Sequence, residues 1–369
     1  MVHITLDYIE QFDIKQFQHD LINWFSEEKR DLPWRRTRDP YKVWVSEIML
    51  QQTKVDTVIP YFEHFIEQFP TVEALANADE ETVLKAWEGL GYYSRARNLH
   101  AAAKEVHEKY NGVVPSEYDH ISQLRGIGPY TAGAILSIAY GIPAPAVDGN
   151  VMRVLARILF ICEDIGKASS RKTFEQAVEQ LISHENPSSF NQALMELGAL
   201  ICTPTSPSCL LCPVRDHCYS FHKGVQTELP IKKKKKKPRT VHLVAGMLQT
   251  EDGKYLIHKR PNKGLLANLW EFPNVERKKT SQMPSTFILT NFLLNEYKVV
   301  VDINSHSFAN INHVFTHLIW DIEVFAGKID GHVEESDMLK LVTKDELETY
   351  AFSVSHQKIW EAYVKKIGE

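Results

Sequence analysis

No apolar run in this 369-residue chain approaches the roughly 20 residues that a membrane-spanning helix requires. The N-terminal residues also lack the charged-then-apolar pattern of a secretory signal. Together these absences predict a soluble, cytoplasmic protein. Cysteine is scarce: there are five, and four of them fall between positions 202 and 218. That clustering argues against a disulfide framework and for a metal or cluster site in a reducing compartment. Positive charge is not in surplus either. The formal net charge is −5, so any nucleic-acid surface has to be a local basic patch on an acidic body. What remains is an ordinary 44% apolar content on a length sufficient for two or three domains.

The stretch from Leu124 to Val154 joins two features that suit chemistry on an anionic polymer. Gly126-Ile127-Gly128 forms a turn ahead of a helix starting near Pro129. Glycines there leave amides uncovered, and a helix start favours an anion. The alternative is a helix–turn–helix connection with no ligand. Asp148 stands ahead of Gly149-Asn150 and the next helical run, where it returns beside whatever the turn grips. A second carboxylate, Glu47, interrupts an apolar face formed by Val43, Val45, Ile48 and Met49. It is either a surface residue or a desolvated acid suited to proton donation near neutral pH.

Around these residues the periodicity predicts helices over 14–29, twice between Val43 and Phe69, in short pieces over 71–111, and at about 149–163, 171–184 and 188–201. Between the first two, LPWRRTRDPYKVW is either a solvated loop around one buried tryptophan or a DNA-facing loop carrying Arg35, Arg36 and Arg38. Cys202, Cys209, Cys212 and Cys218 follow with spacing C-x6-C-x2-C-x5-C. Such a set suits zinc or a cubane iron–sulfur cluster, though zinc knuckles favour two C-x2-C pairs and only one is present. Cys162 stands apart and reads as a buried apolar residue. Six lysines, Lys232 to Lys237, lie between Pro230 and Pro238; like charges keep such a block extended, as a linker. Beyond it the pattern alternates. A hairpin turns at Asp252-Gly253, strands follow in NLWEFPNVE and INHVFTHLIWDIEVFAG, and helices are expected at about 285–296 and 354–367.

LRGIGPYTAGAI followed by VDGNVMRV resembles the helix-hairpin-helix and aspartate of the endonuclease III superfamily of DNA glycosylases, and within it the adenine DNA glycosylase (MutY) type. The resemblance implies a multidomain fold. An all-α helix-hairpin-helix glycosylase domain with an iron–sulfur loop covers 1–222, its six-helix part about 31–138 and its iron–sulfur part about 1–30 and 139–222. A basic linker covers 223–240, and a C-terminal α+β Nudix (MutT)-like domain covers 241–369. It also implies roles. Glu47, in SEIMLQQT, protonates adenine; Asp148 serves the anomeric carbon; Asn150 orients Asp148; and Tyr130 hydrogen-bonds into the same site. Gly126 and Gly128 grip phosphate, Gln52 and Thr53 wedge opposite the target base, and Leu90 and Tyr92 insert beside the damaged guanine. Asn191 and Gln192 approach the flipped adenine, and the family carries Glu or Gln at the position of Gln192. The four clustered cysteines hold one 4Fe-4S cluster, stiffening a loop that presents Arg215 to DNA. Endonuclease III relatives carry a lysine where this chain has Tyr130, and a phenol forms no Schiff base. Arg125 departs from the family's usual proline.

RPNKGLLANLWEFPNVE resembles the opening of a Nudix domain, but RKKTSQMPSTF stands where the metal-binding Nudix box should follow. No glutamate cluster remains there for magnesium, which argues against pyrophosphate hydrolysis. HVFTHLIW resembles the loop that inspects 8-oxoguanine, with Phe315, Thr316 and His317 at its tip and Thr where the family often has Ser. The expected activity is therefore that of a monofunctional glycosylase, hydrolysing the bond of adenine mispaired with 8-oxoguanine or guanine in duplex DNA. The expected setting is a monomer at a bacterial nucleoid. The competing readings are a bifunctional endonuclease III-like glycosylase and lyase, a non-catalytic DNA-binding iron–sulfur protein, and a Nudix hydrolase.

Overall fold

The computed structural model describes residues 12–233 and 237–368. They divide into two compact units. The first gathers the described residues up to Asn77 and those from Asn98 to the linker. The second gathers Ala78–Arg97 with the residues beyond the linker. Among the described residues no helix is long and apolar enough to cross a membrane. The middle of the lysine run, 234–236, lies outside them.

The first unit is helical. It begins with α1 (Ile14–Glu28), α2 (Pro40–Leu50), α3 (Val55–Gln68) and α4 (Val72–Asn77). Asp13 caps α1 by accepting from the Gln16 amide, and Asp39 caps α2 through the Tyr41 amide. Phe17, Leu21 and Phe25 bury one face of α1, while Trp24 stays half-exposed. At ~1.5–3 kcal/mol for each such side chain, this face fixes α1 to the later helices, whose Val154, Leu155, Phe174 and Phe190 share its core. After α5 (Glu80–Ala86), a member of the second unit, come α6 (Ser94–Tyr110), α7 (Tyr118–Ile121), α8 (Pro129–Ile138), α9 (Gly149–Ile158), α10 (Ser170–Leu181) and α11 (Pro187–Leu200). Two 3-10 turns, Cys209–Leu211 and Arg215–His217, lead to α12 (Tyr219–His222).

Helices α9 and α10 are shorter than their apolar patterns predict. The chain leaves α9 through Leu159 and Phe160, where Phe160 takes a positive φ of 56°. That exit turns Cys162 outward, so this cysteine is exposed and not the buried apolar residue expected.

The second unit is built on an eight-stranded mixed sheet: β1 (Arg239–Gln249), β2 (Tyr255–Lys259), β3 (Trp270–Glu271), β4 (Asn274–Glu276), β5 (Val300–Ile303), β6 (Ala309–Val314), β7 (Leu318–Asp330) and β8 (Leu339–Val342). The order is β3-β2-β1-β7-β5, with β4 on β1, β6 on β7 and β8 on β2. Strands β1 and β7 run parallel, in register from Arg239↔Leu318 to Gln249↔Lys328. Alternation along β1 builds two cores. Val241, Leu243, Ala245 and Met247 face one side, and Val244 and Leu248 the other. Helix α13 (Ser285–Tyr297) covers the second face with Leu289 and Leu293. The first is covered by α15 (Val354–Ile367), which follows the single turn α14 (Lys344–Leu347). The expected hairpin turn is present, with Gly253 at φ +87°.

Candidate active site

Four elements of the helical unit deliver their side chains to one pocket of about 160 Å3. Glu47 comes from α2, Tyr130 from the first turn of α8, Asp148 and Asn150 from the start of α9, and Gln192, Met195 and Glu196 from α11. Asp148 is the N-cap of α9, its Oδ1 accepting from the Val151 amide at 2.7 Å. Asn150 Nδ2 donates to the other oxygen at 3.0 Å. Capping thus freezes the carboxylate while leaving it on the pocket wall. Gly198 makes this possible, because a Cβ there would meet the Asn150 Cβ at 2.7 Å.

Glu47 is only 5% exposed. Burial pushes its carboxyl up to about 7; the hydrogen bond from Tyr130 and the charge of Arg35 pull the other way, and the charge of Asp148 adds to the rise. Tyr130 Oη donates to Glu47 Oε2 at 2.5 Å and lies 3.3 Å from Met195 Sδ. Asp148 is also raised by burial, against the Val151 and Asn150 hydrogen bonds and the Arg153 charge. Two buried carboxyl groups therefore share one pocket in different settings, Glu47 accepting from the Tyr130 phenol and Asp148 from the Val151 amide and the Asn150 side chain, and unequal settings are how a site separates an acid from a carboxylate.

The sequence reading missed the cluster behind them. Glu196 is fully buried and accepts from Arg30 Nη2 at 2.7 Å, Arg30 Nε at 2.9 Å, Arg35 Nη2 at 2.8 Å and Arg35 Nη1 at 3.0 Å. Burial alone would raise its carboxyl; the bonds from Arg30 and Arg35 outweigh burial and bring it down to about 2. Of the arginines in the 35–38 loop, Arg35 thus turns inward, Arg36 pairs with the exposed Asp31, and Arg38 is exposed. Trp34 is buried against Phe62. Arg153 was also missed: it donates to Asn150 Oδ1 at 2.9 Å and, through Nε, to the Cys202 carbonyl at 2.8 Å, tying the Asp148 cap to the cysteine loop. A polar side chain five residues past the aspartate was the only local signal. Gln192 lines the pocket, whereas Asn191 is buried and spent on Ser137 Oγ and the Ala144 carbonyl.

A family model described as "HhH-GPD superfamily base excision DNA repair protein" matches residues 45–180. A model described as "NUDIX domain" matches residues 244–362. An adenine DNA glycosylase of Rattus norvegicus is 33% identical over 405 aligned residues, covering 95% of this chain and 78% of that protein. One from Buchnera aphidicola subsp. Baizongia pistaciae is 38% identical, over 76% of this chain and 81% of its own length. This chain belongs to the adenine DNA glycosylase family. Its helical unit also matches a solved "Trapped Endonuclease III-DNA Covalent Intermediate" with TM-score 0.50 and 26% identity, over 58% of this chain and 98% of that one.

The other residues that the family resemblance singles out are more dispersed. Gly126 sits in the hairpin turn at φ +81°, backed by Asn98, and Gly128 caps α8 with open space around its α-carbon. Thr53 lines the pocket, whereas Gln52 is exposed beside it with φ 59°. Leu90 is buried, so in this structure Tyr92, 44% exposed, is the outward residue of that loop. Thr316 and His317 are exposed at the β6–β7 turn, while Phe315 is held between His313 and Trp320. Tyr92 Oη lies 3.3 Å from Thr316 Oγ1.

Cys202, Cys209, Cys212 and Cys218 line one small apolar pocket, and Arg157 Nη1 donates to Cys202 Sγ at 3.2 Å. Among the described residues no three such groups close tightly enough around a single ion. Four thiols lining one apolar pocket are a donor set that a metal ion or an iron–sulfur cluster can use.

Proposed function

We propose that this chain is a monofunctional adenine DNA glycosylase of base excision repair, hydrolysing the N-glycosidic bond of adenine opposite 8-oxoguanine or guanine in duplex DNA. The observation that carries the reading is the pairing of a desolvated Glu47, raised to about 7 and held by Tyr130, with the capped Asp148 in one pocket. Releasing a purine requires a proton on the base side and a negative group near the developing oxocarbenium ion. Glu47 serves the first need and Asp148, oriented by Asn150, the second. The adenine reaches them only after rotation out of the stack, which costs a few kcal/mol and is easiest at a mispair. Among the described residues lining the pocket there is no lysine, and the Tyr130 phenol offers no amine for a Schiff base, so the abasic strand is left intact.

Gly126 and Gly128 are assigned to a phosphate, Gln52 and Thr53 to the opened duplex opposite the target base, and Leu90, Tyr92, Phe315, Thr316 and His317 to the base opposite adenine. Cys202, Cys209, Cys212 and Cys218 are assigned one 4Fe-4S cluster, which when bound would fix the shape of the loop carrying Arg215. The substrate places the enzyme with cellular DNA, the nucleoid in a bacterium.

The test is base release from a duplex with one adenine opposite 8-oxoguanine, worked up with and without hot alkali. Strand cleavage only after alkali is expected; nicking without alkali would make the enzyme a lyase. Glu47→Gln should still bind this duplex but lose base release by about 100-fold or more, the scale of a lost general acid. Retention of the wild-type rate would remove Glu47 from the chemistry.

A further inference from the structure

Residues 89–94 form a loop whose conformation is costly to hold. Gly89, Gly91 and Tyr92 all have positive φ, at 92°, 74° and 49°. A tyrosine in the left-handed region persists only where its surroundings fix it. Part of that support is internal: Trp87 Nε1 and Arg95 Nη2 both donate to the Gly91 carbonyl, at 3.2 and 3.1 Å, and the Arg95 guanidinium lies 5.2 Å from the centre of the Tyr92 ring.

The rest comes from one stretch of the Nudix-like fold, more than 250 residues away. Glu88 Oε1 accepts from the Phe352 amide at 2.7 Å. Its other oxygen accepts from Lys85 Nζ at 2.5 Å, and the same ammonium donates to the Tyr350 carbonyl at 3.1 Å. Tyr93 Oη donates to the Phe352 carbonyl at 3.1 Å and accepts from the Gly89 amide at 3.1 Å. Helix α5 is pinned as well, Glu81 accepting from Lys259 Nζ at 2.7 Å and Trp270 Nε1 at 2.9 Å. These bonds hold the loop in the same compact unit as the β6–β7 turn, where Tyr92 meets Thr316.

We propose that Glu88, with Lys85, is a positioning residue for recognition of the base opposite adenine: by pegging the Tyr92 loop to Tyr350–Phe352, it makes Tyr92 and Thr316 a single preformed reader. This rests on the assignment of Tyr92 and the 315–317 turn to that base. Glu88 is not among the described residues that line the Glu47 pocket. Its effect therefore belongs in discrimination between opposing bases, and not in cleavage itself. Both oxygens of Glu88 are committed to backbone or charge, so alanine removes the amide bond and the ion pair together.

The experiment compares single-turnover adenine release from A:8-oxoguanine and A:G duplexes in the full-length enzyme, with folding checked by circular dichroism. For Glu88→Ala the ratio of the two rates is expected to fall about tenfold, the lower end of what one lost hydrogen bond to a charged group implies, with the A:G rate within about twofold of wild type. Should that variant not fold, Lys85→Met, which keeps the Glu88–Phe352 bond, is expected to lower the ratio by a smaller factor. An unchanged ratio, or two rates falling in parallel, overturns the proposal. Thr316→Val separates the causes. If it lowers the ratio while the Glu88 and Lys85 variants do not, only the peg is wrong. If neither it nor Tyr92→Phe changes the ratio, the assignment of the reader falls too.

Discussion

Tyr130 and Asp148 pull Glu47 in opposite directions. The phenol donates to the carboxylate and favours its ionised form; the neighbouring carboxylate opposes it, in the same sense as burial. Acid catalysis needs the protonated form, so base release should decline as pH rises through about 7. It should also decline in acid as Asp148, itself raised by burial, takes up its proton. Tyr130→Phe removes the one hydrogen bond that lowers Glu47, and the acid form then survives to higher pH. The basic limb of the single-turnover pH profile should move up by about one unit, the scale of a hydrogen bond to a charged group. A limb that stays in place would limit Tyr130 to shaping the pocket. The burial of Glu47 and the capping by Asp148 were legible because both leave local signs: an aspartate before Gly-Asn and a helix, and a glutamate on an apolar face. Glu196 left none. Its partners Arg30 and Arg35 lie 166 and 161 residues away, and a glutamate in α11 looks like any solvated helix residue until the fold buries it.

At the level of elements, long periodic helices and the Asp252-Gly253 hairpin were readable, while β5 and β8 were not. Each has four residues, too few for alternation to stand out, and each exists because β7 or β2 offers an edge. The placement of Ala78–Arg97 with the sheet unit depends on pairings with residues beyond 250, which no local pattern encodes. The cysteine loop shows how spacing can be legible when shape is not. It consists of two 3-10 turns hung on the buried Arg157, which donates to the carbonyls of Thr203, Pro204 and Leu229. The helical core nearby closes on Val154, Leu155, Phe190 and Leu194. Loss of the proposed cluster, by Cys209→Ser or by iron chelation, should therefore spare the helices and loosen the loop with its exposed Leu210 and Leu211 and its half-buried Arg215. Reordering even a few residues on binding costs about 1–2 kcal/mol each, so DNA affinity should fall about tenfold or more. Helical circular dichroism should persist. Collapse of the helical signal, or undiminished affinity, would refute this division of labour.

Each compact unit holds a buried carboxylate ringed by arginine or histidine side chains. In the helical unit it is Glu196 with Arg30 and Arg35. In the sheet unit it is Glu271, which accepts from Arg260 Nη1 at 2.9 and 2.8 Å and faces His258 Nε2 at 2.9 Å. His356 accepts from the Phe272 amide through Nδ1, which leaves its Nε2 proton facing Glu271. Burial would raise Glu271, but the His258 and His356 rings facing it hold it well below the ordinary range. A carboxyl whose folded-state pKa is depressed contributes stability that is complete above its unfolded pKa and lost as pH falls towards the folded one. For Glu196 that window runs from its ordinary 4.5 down to about 2, a contribution on the order of 3 kcal/mol. Glu47 acts with the opposite sign, since its raised pKa costs stability above about 7 and relieves it in acid. Glu196→Gln should destabilise by about 3–5 kcal/mol at pH 7, because it strands two partly buried guanidinium groups. Denaturant melts at stepped pH should show the gap from wild type narrowing by about 1 kcal/mol per pH unit below 4.5. Glu271→Gln should behave alike, and because the two clamps share no partner their effects should add. A gap that stays constant through acid would mean that the Glu196 clamp is held by shape and not by charge.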